Sequence, residues 1–115
     1  MKFAHITINT AKLEQSVDFY KNIAGLSVQN EMNAGPMHIV FLCNAEGETS
    51  VELIETADAP MYQYAPSIGF HAADVEKLHA ELTQKGYNPT PIISPVPAAK
   101  FFFVQDPNGI KVQFV

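Results

Sequence analysis

Four polar side chains, His5, Glu52, Ser67 and Gln113, stand in short runs whose alternate residues are apolar. Side chains of a strand point to opposite faces in turn. The run Phe3 to Asn9 therefore sets Ala4, Ile6 and Ile8 on one face and Phe3, His5, Thr7 and Asn9 on the other. Ser50, Glu52 and Ile54 oppose Val51 and Leu53 in the same way. Later, Ser67, Gly69 and His71, then Lys111 and Gln113, oppose Ile68, Phe70, Ile110, Val112 and Phe114. A sheet face that is neither plain core nor plain solvent predicts a concave cup for a small ligand. Its pocket candidates are Thr7, Ser67, His71, Lys111 and Phe103, with Phe101, Phe102 and Met37 as apolar contributors. Glu52 is the catalytic candidate, because a carboxylate between Val51 and Leu53 costs desolvation free energy that a structural role does not require.

These residues are related by an internal repeat. FAHITINTAKLEQSVDFYKNIAG, from Phe3 to Gly25, shares its plan with SIGFHAADVEKLHAELTQKG, from Ser67 to Gly86. Leu13 corresponds to Val75 and Glu14 to Glu76, 62 residues on; Gly25 corresponds to Gly86, 61 on; SVELIE is answered by KVQFV. A constant offset of this length marks two multi-strand structural repeats. The repeat pairs His5 with Ser67 and Glu52 with Gln113, and those four positions form the candidate constellation.

Helical periodicity predicts helices at about Lys12–Ala24 and Asp74–Lys85, each closed by a glycine. Thr10 and Asp74 are the expected N-caps. In the first helix Leu13, Val17, Tyr20 and Ala24, with Ser16 and Ile23 beside them, should face inward; in the second, Val75, Leu78 and Leu82. Strands are expected over 3–9, 26–32, 37–43, 49–55 and 67–73. Asn33 to Pro36 and Asn44 to Gly47 read as turns, and residues 56–66 as the connector between repeats. Pro89, Pro91, Pro95 and Pro97 restrict residues 88–99 to an edge strand or ordered loop. FFFVQ, DPNG and IKVQFV form a closing hairpin. The order βαβββ, twice, predicts an α+β protein in which two modules, about 1–56 and 66–115, form a curved, mainly antiparallel sheet cup with helices on its outer face.

At 115 residues the chain should be one domain with a real core. Charged residues are only 17% of it, below the usual ~25%, which points to surface covered in a homodimer. A net charge of −5 with scattered basic residues excludes nucleic acid and anionic membrane as main partners. Cys43, alone in an apolar run, is read as a buried structural thiol. No apolar leader or membrane span is present in the sequence, so a cytoplasmic protein is expected. Glu46, Glu48 and Glu55 read as solvated charges, His79 as exposed on its helix, Tyr62 and Tyr64 as packing residues, and His38 as surface or pocket.

The doubled βαβββ plan, a first-strand His before SVDFYKNIAGL, and the terminal DPNGIKVQF together resemble the vicinal oxygen chelate superfamily, which includes glyoxalase I, bleomycin-resistance proteins, fosfomycin-resistance enzymes and extradiol dioxygenases. The resemblance spans essentially the whole chain. It implies a glyoxalase-I-like, lactoylglutathione-lyase-related protein that binds a small molecule in the cup, as a metal-dependent lyase or isomerase with an altered metal site; the alternative is a metal-free binding protein like those of bleomycin resistance. Carried over by position, His5 and Glu52 match metal ligands, Gln113 replaces a Glu, and Ser67 replaces a second His. The implied cofactor is one divalent ion, Zn, Ni, Co, Fe or Mn, held by His5, Glu52 and Gln113. His71, two strand steps of ~6.5–7 Å from Ser67, belongs to the cup rim. An amide cannot accept the proton that glyoxalase-type isomerisation moves, and Gln113 thus separates this chain from glyoxalase I itself.

Overall fold

The computed structural model describes residues 1–115, apart from the side chain of residue 34. Its N-terminal alternating run forms β1, His5–Thr10, with Ile8 and Thr10 buried and His5, Thr7 and Asn9 exposed. There follow α1 (Leu13–Asp18), a π-helical turn (Phe19–Ile23), β2 (Ser27–Ala34), β3 (Met37–Cys43) and β4 (Ser50–Glu55). The second series is β5 (Ile68–Phe70), α2 (Val75–Gln84), β6 (Ile93–Val96), β7 (Ala99–Gln105) and β8 (Lys111–Phe114). This is an α+β fold of two similar βαβββ modules. By compactness the chain divides into two units, Met1–Met61 and Tyr62–Val115.

In the first unit the strand order is β1-β4-β3-β2, with β1 and β4 parallel and the other neighbours antiparallel. Ile8, Val40, Leu42, Val51 and Leu53 form a buried face, and α1 packs against β4. Burying each such side chain stabilises the fold by about 1.5–3 kcal/mol. Along the helical segment Leu13, Ser16, Phe19 and Tyr20 are buried. A π turn follows α1, with Ala24 N donating to Phe19 O at 3.1 Å, five residues back, and both Phe19 and Tyr20 are fully buried. Gly25, at φ +76°, ends the element.

Thr10 is not the N-cap. It is the buried last residue of β1, and Lys12 occupies the cap position without a side-chain cap bond. Thr10 nevertheless satisfies one donor near the helix start, because its Oγ1 accepts from Lys12 N at 2.8 Å.

The second unit repeats the scheme as β5-β8-β7-β6, parallel only between β5 and β8. Phe102, Val104, Ile110, Val112 and Phe114 are buried, and α2 packs against β7. Asp74 caps α2, accepting from Lys77 N at 3.0 Å. Of the predicted inward stripe, Leu82 is fully buried while Val75 and Leu78 are half-buried. β6, in the proline-rich segment, lies at the sheet edge, where a missing N–H costs no ladder bond. In the hairpin, Asp106 Oδ1 accepts from both Asn108 N and Ile110 N at 2.8 Å.

β5 is shorter than the predicted run of 67–73. Ser67 and His71 flank it and are exposed, outside the ladder whose alternation placed them on a shared face. Among the described residues no helix is long and apolar enough to cross a membrane.

Candidate functional site

Register decides what the first unit gathers. Thr7 lies opposite Glu52 across the β1–β4 pair, and Phe41 lies opposite Glu52 across β3–β4. This row faces away from the buried side carrying Ile8, Leu53 and Val40. Thr7 Oγ1 donates to Glu52 Oε1 at 2.5 Å. The same oxygen lies 3.6 Å from His5 Nε2, and the imidazole meets the Phe41 ring edge-on at 6.1 Å. The Glu52 side chain is 13% exposed and that of His5 44%, so the carboxylate is the more enclosed partner of an accessible pair.

Two donors bound to one ion at ~2.1 Å stand roughly 3–3.5 Å apart. The His5–Glu52 separation is close to that, and its donor chemistry, imidazole with carboxylate, suits a first-row divalent ion. Among the described residues no group of three or more His, Cys, Asp and Glu side chains could hold a metal ion. The fit is that of a two-donor half-site.

In the second unit the corresponding row is Gly69, Gln113 and Phe103. Glycine stands where the first unit has Thr7, and a Cβ added there would meet Gln113 Oε1 at 3.7 Å. Two residues along, Lys111 faces Gln105. Phe103 and Lys111 line a cavity of about 480 Å³ with Tyr87, Asn88 and Gln105.

The cavity wall formed by Gly86, Tyr87, Asn88 and Thr90 was not evident from the sequence, where the prolines suggested an edge strand or an ordered loop over 88–99. Thr90 fastens it: Phe103 N donates to Thr90 Oγ1 at 2.9 Å, and Thr90 N to Phe103 O at 2.8 Å.

A model of the Glyoxalase/Bleomycin resistance protein/Dioxygenase superfamily matches residues 2–114. The chain belongs to this superfamily. Among its curated relatives are lactoylglutathione lyases of Neisseria meningitidis and Haemophilus influenzae, 24% and 25% identical over 124 aligned positions. Both alignments cover 100% of this chain, with 90% of the first relative and 92% of the second. Similar solved structures include the trypanothione-dependent glyoxalase I of Leishmania major, with TM-score 0.82, 22% identity and coverage of 100% of this chain and 86% of that one. Another is TnmS3, an antibiotic-binding protein from Streptomyces sp. CB03234, with TM-score 0.75, 15% identity and coverage of 99% and 93%. At these identities the structural likeness shows the fold alone.

Among the other polar residues, His79, Glu55 and Tyr64 have surroundings different from those expected. His79 is half-buried rather than exposed: Nε2 lies 2.8 Å from Thr90 O, and its ring meets Phe102 edge-on at 5.0 Å. His38 sits among carboxylates, with Nε2 2.6 Å from Glu31 Oε1 and Nδ1 3.7 Å from Glu55 Oε2, so Glu55 is not merely solvated. Tyr64 is 99% exposed and packs on nothing, whereas Tyr62 is half-buried. Cys43 is buried, its thiol donating to Ala45 O at 3.0 Å, while Met37, Glu46 and Glu48 are exposed.

Proposed function

We propose that this superfamily member is a glyoxalase-related protein that binds a small molecule, with His5 and Glu52 as the first half of a divalent-ion site and without the lactoylglutathione lyase reaction. The observation that carries the reading is the Thr7–Glu52–His5 arrangement, in which a little-exposed carboxylate is held by a hydroxyl and stands 3.6 Å from an imidazole nitrogen. Hydrogen bonding from Thr7 orients the carboxylate, as partners of metal ligands commonly do. Zn, Ni, Co, Fe or Mn, when bound, would polarise oxygen atoms of a ligand as a Lewis acid.

Gln113 limits the chemistry. Moving a proton between adjacent carbons needs a base that accepts it and returns it. Glu52 alone would have to ligate and to carry the proton, since the Gln113 amide can donate a hydrogen bond or offer a neutral oxygen but cannot take a proton. Lactoylglutathione turnover on chelator-free protein supplied with each ion tests this. Background rates are expected; turnover at an ordinary enzyme rate of roughly 1 s⁻¹ or more would contradict it.

The neutral side chains at Ser67 and Gln113 favour a second reading, metal-free ligand binding. Under either reading the protein is a cytoplasmic, single-domain homodimer with a small-molecule ligand and no nucleic-acid partner.

A further inference from the structure

The second unit carries a cavity whose chemistry differs from that of the His5–Glu52 pair. Its volume, about 480 Å³, is in the range of ligand pockets. The aromatic ring of Phe103 contributes to its lining and is itself supported edge-on by Phe101 at 5.8 Å. Tyr87 and Pro107 add further ring carbons to the wall. Apolar lining with a few convergent polar groups is the usual composition of a small-molecule site.

The polar groups divide into committed and free. Asp106, a lining residue, is buried, and its carboxylate receives N–H groups from Asn108 and Ile110 within the turn. The Thr90 hydroxyl already accepts from Phe103 N and donates to Pro91 O. By contrast, the side chains of Asn88, Gln105 and Lys111 make no hydrogen bond or ion pair among the described residues. The uncommitted set is therefore one ammonium and two amides, with no uncommitted carboxylate in the lining. A single ammonium is a compact point charge that balances one negative charge. Amides add neutral donors without more charge. A phosphate dianion would call for further cations, and Lys111 is the only cationic side chain among the lining residues.

We propose that this cavity binds a small monocarboxylate with an aromatic or apolar body, the carboxylate on Lys111 with help from Asn88 or Gln105 and the body against Phe103. The proposal rests on the small-molecule reading above and adds the class of ligand. The acidic net charge of the chain does not oppose it, because exposed charges beyond ~8–10 Å are largely screened at physiological salt.

The test is titration of ¹⁵N-labelled protein with benzoate and with benzamide, its uncharged isostere. Benzoate should shift the amides of residues 86–88, 90, 103–105 and 111 and bind at least tenfold tighter than benzamide. Lys111→Met should weaken benzoate at least tenfold without changing benzamide, and Lys111→Arg should keep benzoate within about threefold; the same spectra report whether each variant is folded. Equal binding of the two probes, or no effect of Lys111→Met, overturns the proposal. Shifts confined to residues around His5 and Glu52 also overturn it, but leave the small-molecule reading standing. Absence of any shift with benzoate overturns it too, while cation binding at His5 and Glu52 is decided separately by calorimetry.

Discussion

Thr7 and Glu52 are joined across the parallel β1–β4 pair by a 2.5 Å hydrogen bond, and the carboxylate oxygen that receives it is the one nearest His5. A hydroxyl in that position fixes the Glu52 rotamer without supplying charge. Thr7→Val keeps the β-branched shape and removes the donor. We expect it to lower divalent-cation affinity about tenfold, the size typical of lost partners to metal ligands, with little change in the urea midpoint. Unchanged affinity, measured by titration, would mean that Thr7 does not position Glu52.

The equivalent row in the second unit suggests a different substitution. Gly69 has ordinary negative-φ strand geometry and 3.7 Å of room before Gln113 Oε1. Gly69→Thr copies the residue that the first unit uses there. It should be tolerated and raise stability by about 0.5–1 kcal/mol, since glycine in a strand loses more entropy on folding and packs nothing. Loss of more than ~1 kcal/mol in urea unfolding would contradict the equivalence of the two rows.

Much of this was legible in the sequence. The offset of 61–62 residues found the two modules, and alternation assigned His5, Thr7 and Glu52 to one face and Ile8 and Leu53 to the other, as the β1–β4 register bears out. The π turn was not legible, because Leu13, Val17 and Tyr20 fit helical spacing whether or not the helix widens after Asp18. Phe19 was missed for that reason. Ser67 and His71 were assigned by alternation in a strand that spans only Ile68–Phe70, and alternation carries no information past the last ladder pair. His79 looked exposed on its helix, but its partner Thr90 comes from a proline-rich segment whose path periodicity cannot reveal.

Phe19→Ala tests the importance of the π turn to the core. Phe19 is fully buried and stacks edge-on with Tyr20 at 5.1 Å. Removing it should cost about 3–5 kcal/mol of stability. A loss under ~1 kcal/mol in chemical denaturation would show that the first unit packs differently around this element.

A homodimer is expected from the low charge fraction together with open sheet edges, since β6 ends its sheet with Ile93 and Val96 exposed. Light scattering at micromolar concentration should give twice the chain mass of 12.7 kDa. A monomer at all concentrations tested would contradict this and leave the β6 edge without a cover.

The central claim is that His5 and Glu52 hold a divalent ion, and calorimetric titration of chelator-free, tag-free protein with Zn²⁺, Ni²⁺ and Co²⁺ tests it most directly. The native chain should bind one ion per chain; His5→Ala and Glu52→Ala should each weaken binding at least tenfold, equivalent to ~1.4 kcal/mol, with Glu52→Ala leaving stability unchanged or slightly improved because a little-exposed carboxylate is removed. No binding by the native chain, or full-strength binding by both variants, would contradict it.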